Sequence, residues 1–175
     1  MAERTRINRA LDRWGVFEFF KEKLLMVQQH EDKEEVTAAR TIWLVAKELE
    51  ELAAVSPFAM GFAIGELRKE FVPSVAGADL FARINSRKKG SNNRYYVTVN
   101  ENAEKLVLYG RDIMGDSIRD ASDMLEENEL VIILNENGES IGVGRTRFTG
   151  RLLMQRGRIT ITTVADAGQY LREEG

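Results

Sequence analysis

The sequence of 175 residues contains no cysteine and a single histidine, His30. The absence of cysteine excludes disulfides, thiolate nucleophiles and cysteine-bound zinc, and it is typical of a cytoplasmic protein. One histidine per chain excludes histidine-based catalytic triads and multi-histidine metal sites within the chain. We therefore expect no catalytic site of these kinds, no metal and no other cofactor.

Long hydrophobic runs are also missing, although 43% of the residues are hydrophobic and can form a proper core. No apolar segment is long enough to cross a bilayer. The N-terminus is charged and is not followed by an apolar signal region. The phosphate-binding patterns GxxxxGK[ST] and GxGxxG do not occur. These absences predict a cytoplasmic protein without a membrane partner. The length of 175 residues predicts one domain or two small ones.

Acidic residues are absent from two stretches, 80–100 and 140–165, which together hold ten of the 25 basic residues. The remainder carries 15 basic and 28 acidic residues, so an acidic body bears two basic segments. Such segregation indicates a surface that binds a polyanion. The alternative is a pair of solvated loops that merely lack acids. The basic residues are Arg83, Arg87, Lys88, Lys89 and Arg94 in the first stretch, and Arg145, Arg147, Arg151, Arg156 and Arg158 in the second.

Apolar periodicity predicts a mixed first half of the chain. The predicted elements are a helix over 5–20, a strand pair over 23–28 and 36–45, a short helix over 46–54, a strand over 59–67 and a helix over 73–84. The polar, basic stretch 85–94 then predicts a domain boundary, which divides the chain into residues 1–92 and 93–175. The same stretch could instead form a long hairpin loop within one domain.

The second half alternates between short apolar runs and turns, which predicts a small, partly open β-barrel and an α+β class for the whole chain. The predicted strands are 95–99, 106–109, 129–134, 140–147 and 158–164, with helices over 110–120 and 165–173. The turn at Gly110 would then open a helix, whose exposed N–H groups together with Arg111 would form a phosphate seat. An ordinary strand-to-helix turn is the alternative.

The order YGRDI, VIILNENGESIGVG, RITITTV and terminal helix resembles the PUA domain, an RNA-binding module named after pseudouridine synthases and archaeosine transglycosylases. The segments PFAMGFAIGELRKEFVPSVAGADLF and NENAEKLVLYGRDIMGDSI resemble the junction in the Nip-seven family of ribosome-biogenesis factors. The resemblance implies an α/β pre-PUA domain with a small antiparallel sheet, followed by a PUA domain that is a small mixed barrel. It also implies a non-catalytic assembly factor of the large ribosomal subunit, which binds pre-rRNA through the PUA domain and ribosome-assembly proteins through the N-terminal domain.

In PUA domains RNA lies against the glycine-containing turn and the last strand, which the resemblance places at Gly110 and Arg111 and around Arg156 and Arg158. Because the last strand reads ITITTV after Arg158, we assign more weight to Arg145, Arg147 and Arg151. Phe148 is the candidate for base stacking, with core packing as the alternative, and core packing is favoured for Tyr109. A secondary basic patch comprises Arg87, Lys88, Lys89 and Arg94. Asp112, Asp116 and Asp120 are interpreted as a solvated helical face, not a metal site.

Two other interpretations remain open. A protein–protein adaptor without RNA binding would be favoured if the arginines were paired with acids. GELRKEFVPS also resembles the region that precedes the PUA-like tail of RNA cytosine-5-methyltransferases, which would make the chain an accessory subunit. Since those enzymes need a cysteine nucleophile and an S-adenosylmethionine-binding domain, the chain cannot itself carry out that reaction.

Overall fold

The computed structural model describes residues 2–29, 39–55, 60–87, 93–169 and 172. The chain forms two compact units, Met1–Gly77 and Ala78–Gly175, and the division falls within the first turn of helix α3 (Val75–Ser86). Residues 88–92, in the polar stretch that suggested a boundary, lie outside the described residues. The division into domains at residues 92 and 93 therefore stays a prediction.

The first unit is built on an antiparallel sheet in the order β1-β2-β3-β4. Buried Ile7, Leu11 and Trp14 follow helical spacing, which anchors the N-terminal helix in the core. The predicted strand pair is confirmed, with Leu24 opposite Val45. The elements are α1 (Ala2–Arg13), α2 (Phe17–Phe20), β1 (Leu24–Gln29), β2 (Arg40–Val45), a 3-10 helix (Lys47–Val55), β3 (Phe62–Leu67) and β4 (Phe71–Pro73).

The second unit is a six-stranded sheet in the order β6-β10-β9-β8-β5-β7, curled into a half-barrel. Its one parallel pair is β5 with β8, and the other pairs are antiparallel. The elements are β5 (Tyr96–Val99), α4 (Glu101–Val107), β6 (Ile113–Met114), β7 (Ile118–Asp120), β8 (Leu130–Leu134), β9 (Ser140–Thr146) and β10 (Ile159–Asp166), with 3-10 turns at Gly115–Ser117 and Gly150–Leu152.

A continuous apolar core fills the inside of this half-barrel. It is formed by branched aliphatic side chains from most strands, together with α4 and the loops on either side of the hairpin. Val97, Ile133 and Ile161 are completely buried members from three different strands. The predicted α+β class with a small mixed barrel is confirmed.

The region after β5 differs from the prediction. Residues 106–109 are not a strand, because 106–107 belong to helix α4 and 108–109 form the turn after it. Asn100 caps the start of this helix, and its Oδ1 accepts a hydrogen bond from the Ala103 N–H at 2.9 Å. Acids in the first turn and Lys105 in the last complete a strong local helix signal. Residues 110–120 are not a helix either, since Ile113 pairs with Ile161 of β10 and Ile118 with Val99 of β5. Long-range pairing overrides the weak local pattern.

Candidate nucleic-acid interface

The connection between β9 and β10, residues 147–158, brings together four arginines and Phe148 without an acidic residue. Leu153 is completely buried and fixes the middle of this loop in the core. The Gly150 N–H donates to the Leu125 carbonyl at 2.8 Å, and a Cβ at Gly150 would lie 2.0 Å from the Ser122 carbonyl oxygen. The loop is therefore packed closely on the segment that contains Ser122 and Leu125. No residue with a Cβ fits at position 150 without a shift of the backbone.

The far end of the loop is also held. The Gly115 N–H donates to the Arg158 carbonyl at 2.9 Å, and the backbone of Gln155 lies directly over Gly115. A loop held in this way has a defined backbone, so the Cα positions of its arginines are set before a ligand binds. Less of the chain then has to be ordered on binding, which lowers the entropy cost.

Arg151 and Arg156 are exposed, and in the described part of the chain their side chains have no hydrogen-bond or ion-pair partner. Arg158 lies over the ring of Phe148 at 5.4 Å from its centroid, and its Nη1 donates to Gln155 Oε1 at 3.3 Å. Phe148 is half-buried, and the guanidinium of Arg158 lies over its ring in a cation–π contact. The loop thus offers three arginines without an acidic partner in the described part of the chain, and one of them, Arg158, lies over the ring of Phe148.

Arg147 is the loop arginine whose charge is compensated. Its Nη2 forms a 2.8 Å ion pair with Asp112 Oδ2, and its Nε donates to the Thr162 hydroxyl at 2.7 Å. The other oxygen of Asp112 accepts the Thr163 N–H at 3.1 Å. Asp112 therefore holds Arg147 against the last strand, where the sequence had suggested a solvated helical face. The side chain of Arg147 is still 45% exposed, so it remains accessible to a ligand.

Arg145 lies on β9, opposite Thr162 of β10. It is half-buried, and its Nη1 donates to the Asn128 carbonyl at 2.8 Å. Arg145 and Arg147 line one shallow groove with Glu127, Asn128 and Thr162. The structure thus brings these two arginines together, but a glutamate shares their groove.

Gly110 lies at the C-terminal end of α4, with φ +71°. Its N–H donates to Val107 O at 2.7 Å and the Arg111 N–H to Leu106 O at 3.0 Å, which is the Schellman arrangement. The predicted phosphate seat at a helix start is therefore wrong, because a helix C-terminus presents carbonyl oxygens and a partial negative charge. The side chain of Arg111 is exposed and without a partner among the described residues.

Tyr109, for which core packing was favoured, is 72% exposed instead. It sits in the turn that the Schellman arrangement creates, next to Gly110. No pattern in the sequence distinguished this tyrosine from a buried one, since its neighbours were read as a strand. Exposed beside Arg111, it is an aromatic surface that sequence reasoning missed.

The residues predicted as a secondary basic patch are not equivalent. Arg87 is exposed, whereas Lys88 and Lys89 lie outside the described residues. Arg94 forms an ion pair with Glu129 at 3.2 Å, donates to the Met124 carbonyl at 3.0 Å and stacks 4.7 Å from the ring centre of Tyr95. The hydrogen bond to the Tyr95 hydroxyl raises the pKa of Arg94. Arg94 thus ties the start of β5 to the β8 side of the half-barrel.

Within the described ranges, no three His, Asp or Glu side chains come close enough together to hold a metal ion. The described helices also include none that is long and apolar enough to span a membrane.

Comparison with known proteins gives matches for both sequence and fold. The family model described as the UPF0113 PUA domain matches residues 95–175. A UPF0113 protein of Archaeoglobus fulgidus is 31% identical over 170 residues, which cover 96% of this chain and 89% of that protein.

Solved structures with the same fold include a conserved PUA domain protein from Thermoplasma acidophilum and a hypothetical protein from Pyrococcus horikoshii OT3. The first has a TM-score of 0.66 and 20% identity, and covers 99% of this chain and 94% of its own. The second has a TM-score of 0.67 and 18% identity, and covers 97% and 93%. These two likenesses extend over both units and show the fold. The sequence match to the Archaeoglobus protein, together with the family model, shows that the chain belongs to the UPF0113 family of PUA-domain proteins.

Proposed function

We propose that the protein binds RNA through residues 147–158 of its PUA domain and performs no catalysis itself. The observation that supports this most directly is the loop itself. It has no acidic residue, it is fixed at both ends, and it exposes Arg151 and Arg156 without partners in the described part of the chain.

Arginine suits this role because its planar fork of donors matches phosphate oxygens and also stacks on bases. The Arg158–Phe148 pair extends the same surface with a guanidinium plane on which a base can stack. Arg145, Arg147 and Arg111 border the surface as further cations. Gly110 keeps its place in the proposed interface from the PUA resemblance, as a turn that RNA can approach closely.

The more specific assignment is to assembly of the large ribosomal subunit in the cytoplasm. Pre-rRNA would bind the PUA domain, and ribosome-assembly proteins would bind the N-terminal domain. This assignment rests on the resemblance to the Nip-seven family, which also supplies the expected pre-PUA and PUA arrangement. An accessory subunit related to the PUA-like tail of RNA cytosine-5-methyltransferases would use the same loop for the same chemistry.

The test is a titration of labelled poly(U) and of a labelled stem–loop RNA with the wild type and with Arg151→Ala/Arg156→Ala, across a salt series. The double variant should lose affinity and flatten the salt dependence by about one unit of slope per lost phosphate contact. Lys105→Ala/Arg119→Ala is the matched control. It removes the same charge from two exposed basic residues outside both basic stretches, which form ion pairs with Glu101 and Glu136.

A protein–protein adaptor is the second candidate, and one observation favours it. Two arginines of the predicted interface are paired with acids, Arg147 with Asp112 and Arg94 with Glu129. Compensated arginines gain less from a phosphate, because an existing ion pair must be weakened. Absence of RNA binding by the wild type at low salt would reject the RNA proposal and leave the adaptor as the better description.

A further inference from the structure

A cavity of about 240 Å³ on the first unit is lined by four basic side chains that belong to neither basic stretch of the sequence. Three come from α1 and one from the turn between β3 and β4. We call it the α1 cationic cavity, defined by Arg6, Arg9, Arg13 and Lys69.

The arginines share a face because their spacing of i, i+3 and i+7 brings them to the same side of the helix. The buried residues of α1, Ile7 and Leu11, occupy a different side. Arg9 and Arg13, four residues apart, are like charges at the spacing where side chains meet and repel. An anion bound between them would relieve this repulsion.

Arg6 fixes the geometry of the cavity. Its Nη2 donates to the carbonyls of Arg68 and Lys69 at 2.6 and 3.0 Å, so the β3–β4 turn is held against the helix. Arg13 lies 5.8 Å from the ring centre of Trp14. The two hydrogen bonds of Arg6 bring the backbone of Lys69 to the side of α1 that carries the arginines.

Arg9 and Lys69 are exposed, and neither side chain has a hydrogen-bond or ion-pair partner in the described ranges. One acid, Glu70, lines the same cavity against the four cations. Leu67 and Phe71 also line the cavity. Apolar side chains screen the attraction between these cations and an anion less than water does.

We propose that the α1 cationic cavity binds a phosphate group of the RNA backbone, so that the first unit supplies a second RNA contact. This inference rests on the proposed RNA-binding function. Guanidinium and ammonium groups in one shallow site are the donor set for a phosphate. Because Arg9 and Lys69 are exposed, a phosphate can reach them while the neighbouring nucleotides stay in solvent.

The test compares Arg9→Ala/Lys69→Ala with the matched control Arg4→Ala/Lys47→Ala in the full chain. Arg4 and Lys47 are exposed, belong to the same unit and lie outside the cavity, and Arg4 lines a different cavity on the other side of α1. With the labelled stem–loop RNA, the affinity of the cavity variant should fall about tenfold, and its salt dependence should flatten by up to about two units of slope. The control should keep the affinity and the salt slope of the wild type. Lys69→Glu, in a turn, is a second variant that should lose more.

The outcomes separate this inference from the proposed function. Loss of affinity in Arg151→Ala/Arg156→Ala but not in Arg9→Ala/Lys69→Ala refutes the second contact and leaves the first intact. Equal loss in the cavity variant and its control shows a general charge effect and also refutes the second contact. If inorganic phosphate protects the wild type from thermal unfolding through Arg9 and Lys69 while RNA affinity is unchanged, the cavity is a free-phosphate site and the RNA inference is wrong. A wild type that binds no RNA refutes both proposals.

Discussion

Asp112 connects three parts of the second unit through its two carboxylate oxygens. One accepts from Arg147 after β9, and the other accepts the backbone N–H of Thr163 on β10. The Thr163 hydroxyl in turn donates to the Arg111 carbonyl at 2.8 Å. A single carboxylate therefore both positions a candidate RNA-binding arginine and compensates its charge.

Replacing Asp112 by asparagine should raise RNA affinity and slightly lower stability. The amide oxygen can still accept the Thr163 N–H, but it no longer neutralises Arg147. Because the pair is partly exposed, its loss should reduce the free energy of unfolding by less than about 1 kcal/mol. Urea denaturation and RNA titration measure the two effects. A fall in affinity would show that Arg147 binds RNA only when Asp112 holds its side chain in place.

Tyr96 predicts a pH dependence of stability. Burial raises the pKa of Tyr96, although the hydrogen bond from Asn85 Nδ2 to its hydroxyl at 2.7 Å opposes this. In the unfolded chain the phenol loses its proton near pH 10, so the unfolded state is favoured as the pH rises above about 10. The contribution of Tyr96 to the free energy of unfolding should be constant below about pH 10 and should fall above it. Tyr96→Phe should flatten the fall, and Tyr109→Phe, at an exposed site, should not.

At the scale of elements, the end of α4 shows why one part of the site could not be predicted. The alternation in LVLY favoured a strand, yet Asn100 and the charges that follow it favoured a helix. Gly110 fits either interpretation, because a left-handed glycine can end a helix or open a turn. The glycine and Arg111 were correctly identified as a special turn, whereas the sign of the helix dipole there was reversed.

Gly110→Ala should destabilise the protein by about 1–2 kcal/mol, the cost of a left-handed conformation for an alanine. Gly157, with φ +72°, is the matched control, since nothing lies within 4 Å of its added Cβ. At Gly110 the Cβ would lie 3.4 Å from both Arg172 Nη2 and Asp166 Oδ2. Chemical denaturation of the two variants separates backbone strain from this contact, and an equal loss would show that the contact costs nothing.

The loop 147–158 was recognisable from its arginines and its lack of acids, which are properties of the sequence alone. The difference between its unpaired and its compensated arginines could not be predicted from the sequence. Which arginines are exposed without partners and which are compensated depends on Asp112 and on two close backbone approaches, of Gly150 to Ser122 and of Gly115 to Gln155. Each of these contacts joins the loop to a segment far from it in the chain. Pairings across such distances leave no local pattern to read.

For the whole molecule, the strands of both sheets were predictable where apolar residues alternate or run together between turns. The strand pair of the first unit, β5, β8, β9 and β10 were each predicted within a few residues of their bounds. The short β6 and β7 were missed, because two or three residues carry no period. The α1 cationic cavity was missed as well, since its cations come from two separate segments and each segment also contains acids.

The limits of the second unit lead to a prediction about its folding. Asn85 of α3 is buried and donates to the Phe81 carbonyl and to the Tyr96 hydroxyl, so α3 shares polar contacts with β5. A fragment of residues 74–175 should therefore melt at a higher temperature than one of residues 93–175. Thermal unfolding followed by circular dichroism measures the difference. Equal melting temperatures would support the boundary at residues 92 and 93 instead.

The parallel pairing of β5 with β8 has a consequence for synthesis of the chain. Tyr96 of β5 pairs with Ile132 of β8, and Ile113 of β6 pairs with Ile161 of β10. In both pairs the second residue is synthesised much later than the first. A nascent chain that has emerged only through α4 therefore carries a strand whose partners are still inside the ribosome. Assembly of the half-barrel can be completed only when the last strand has been released, which makes its folding late and nearly all-or-none. A chain that stops before β10 would expose the edges of β6 and β9, which neighbouring chains could pair with.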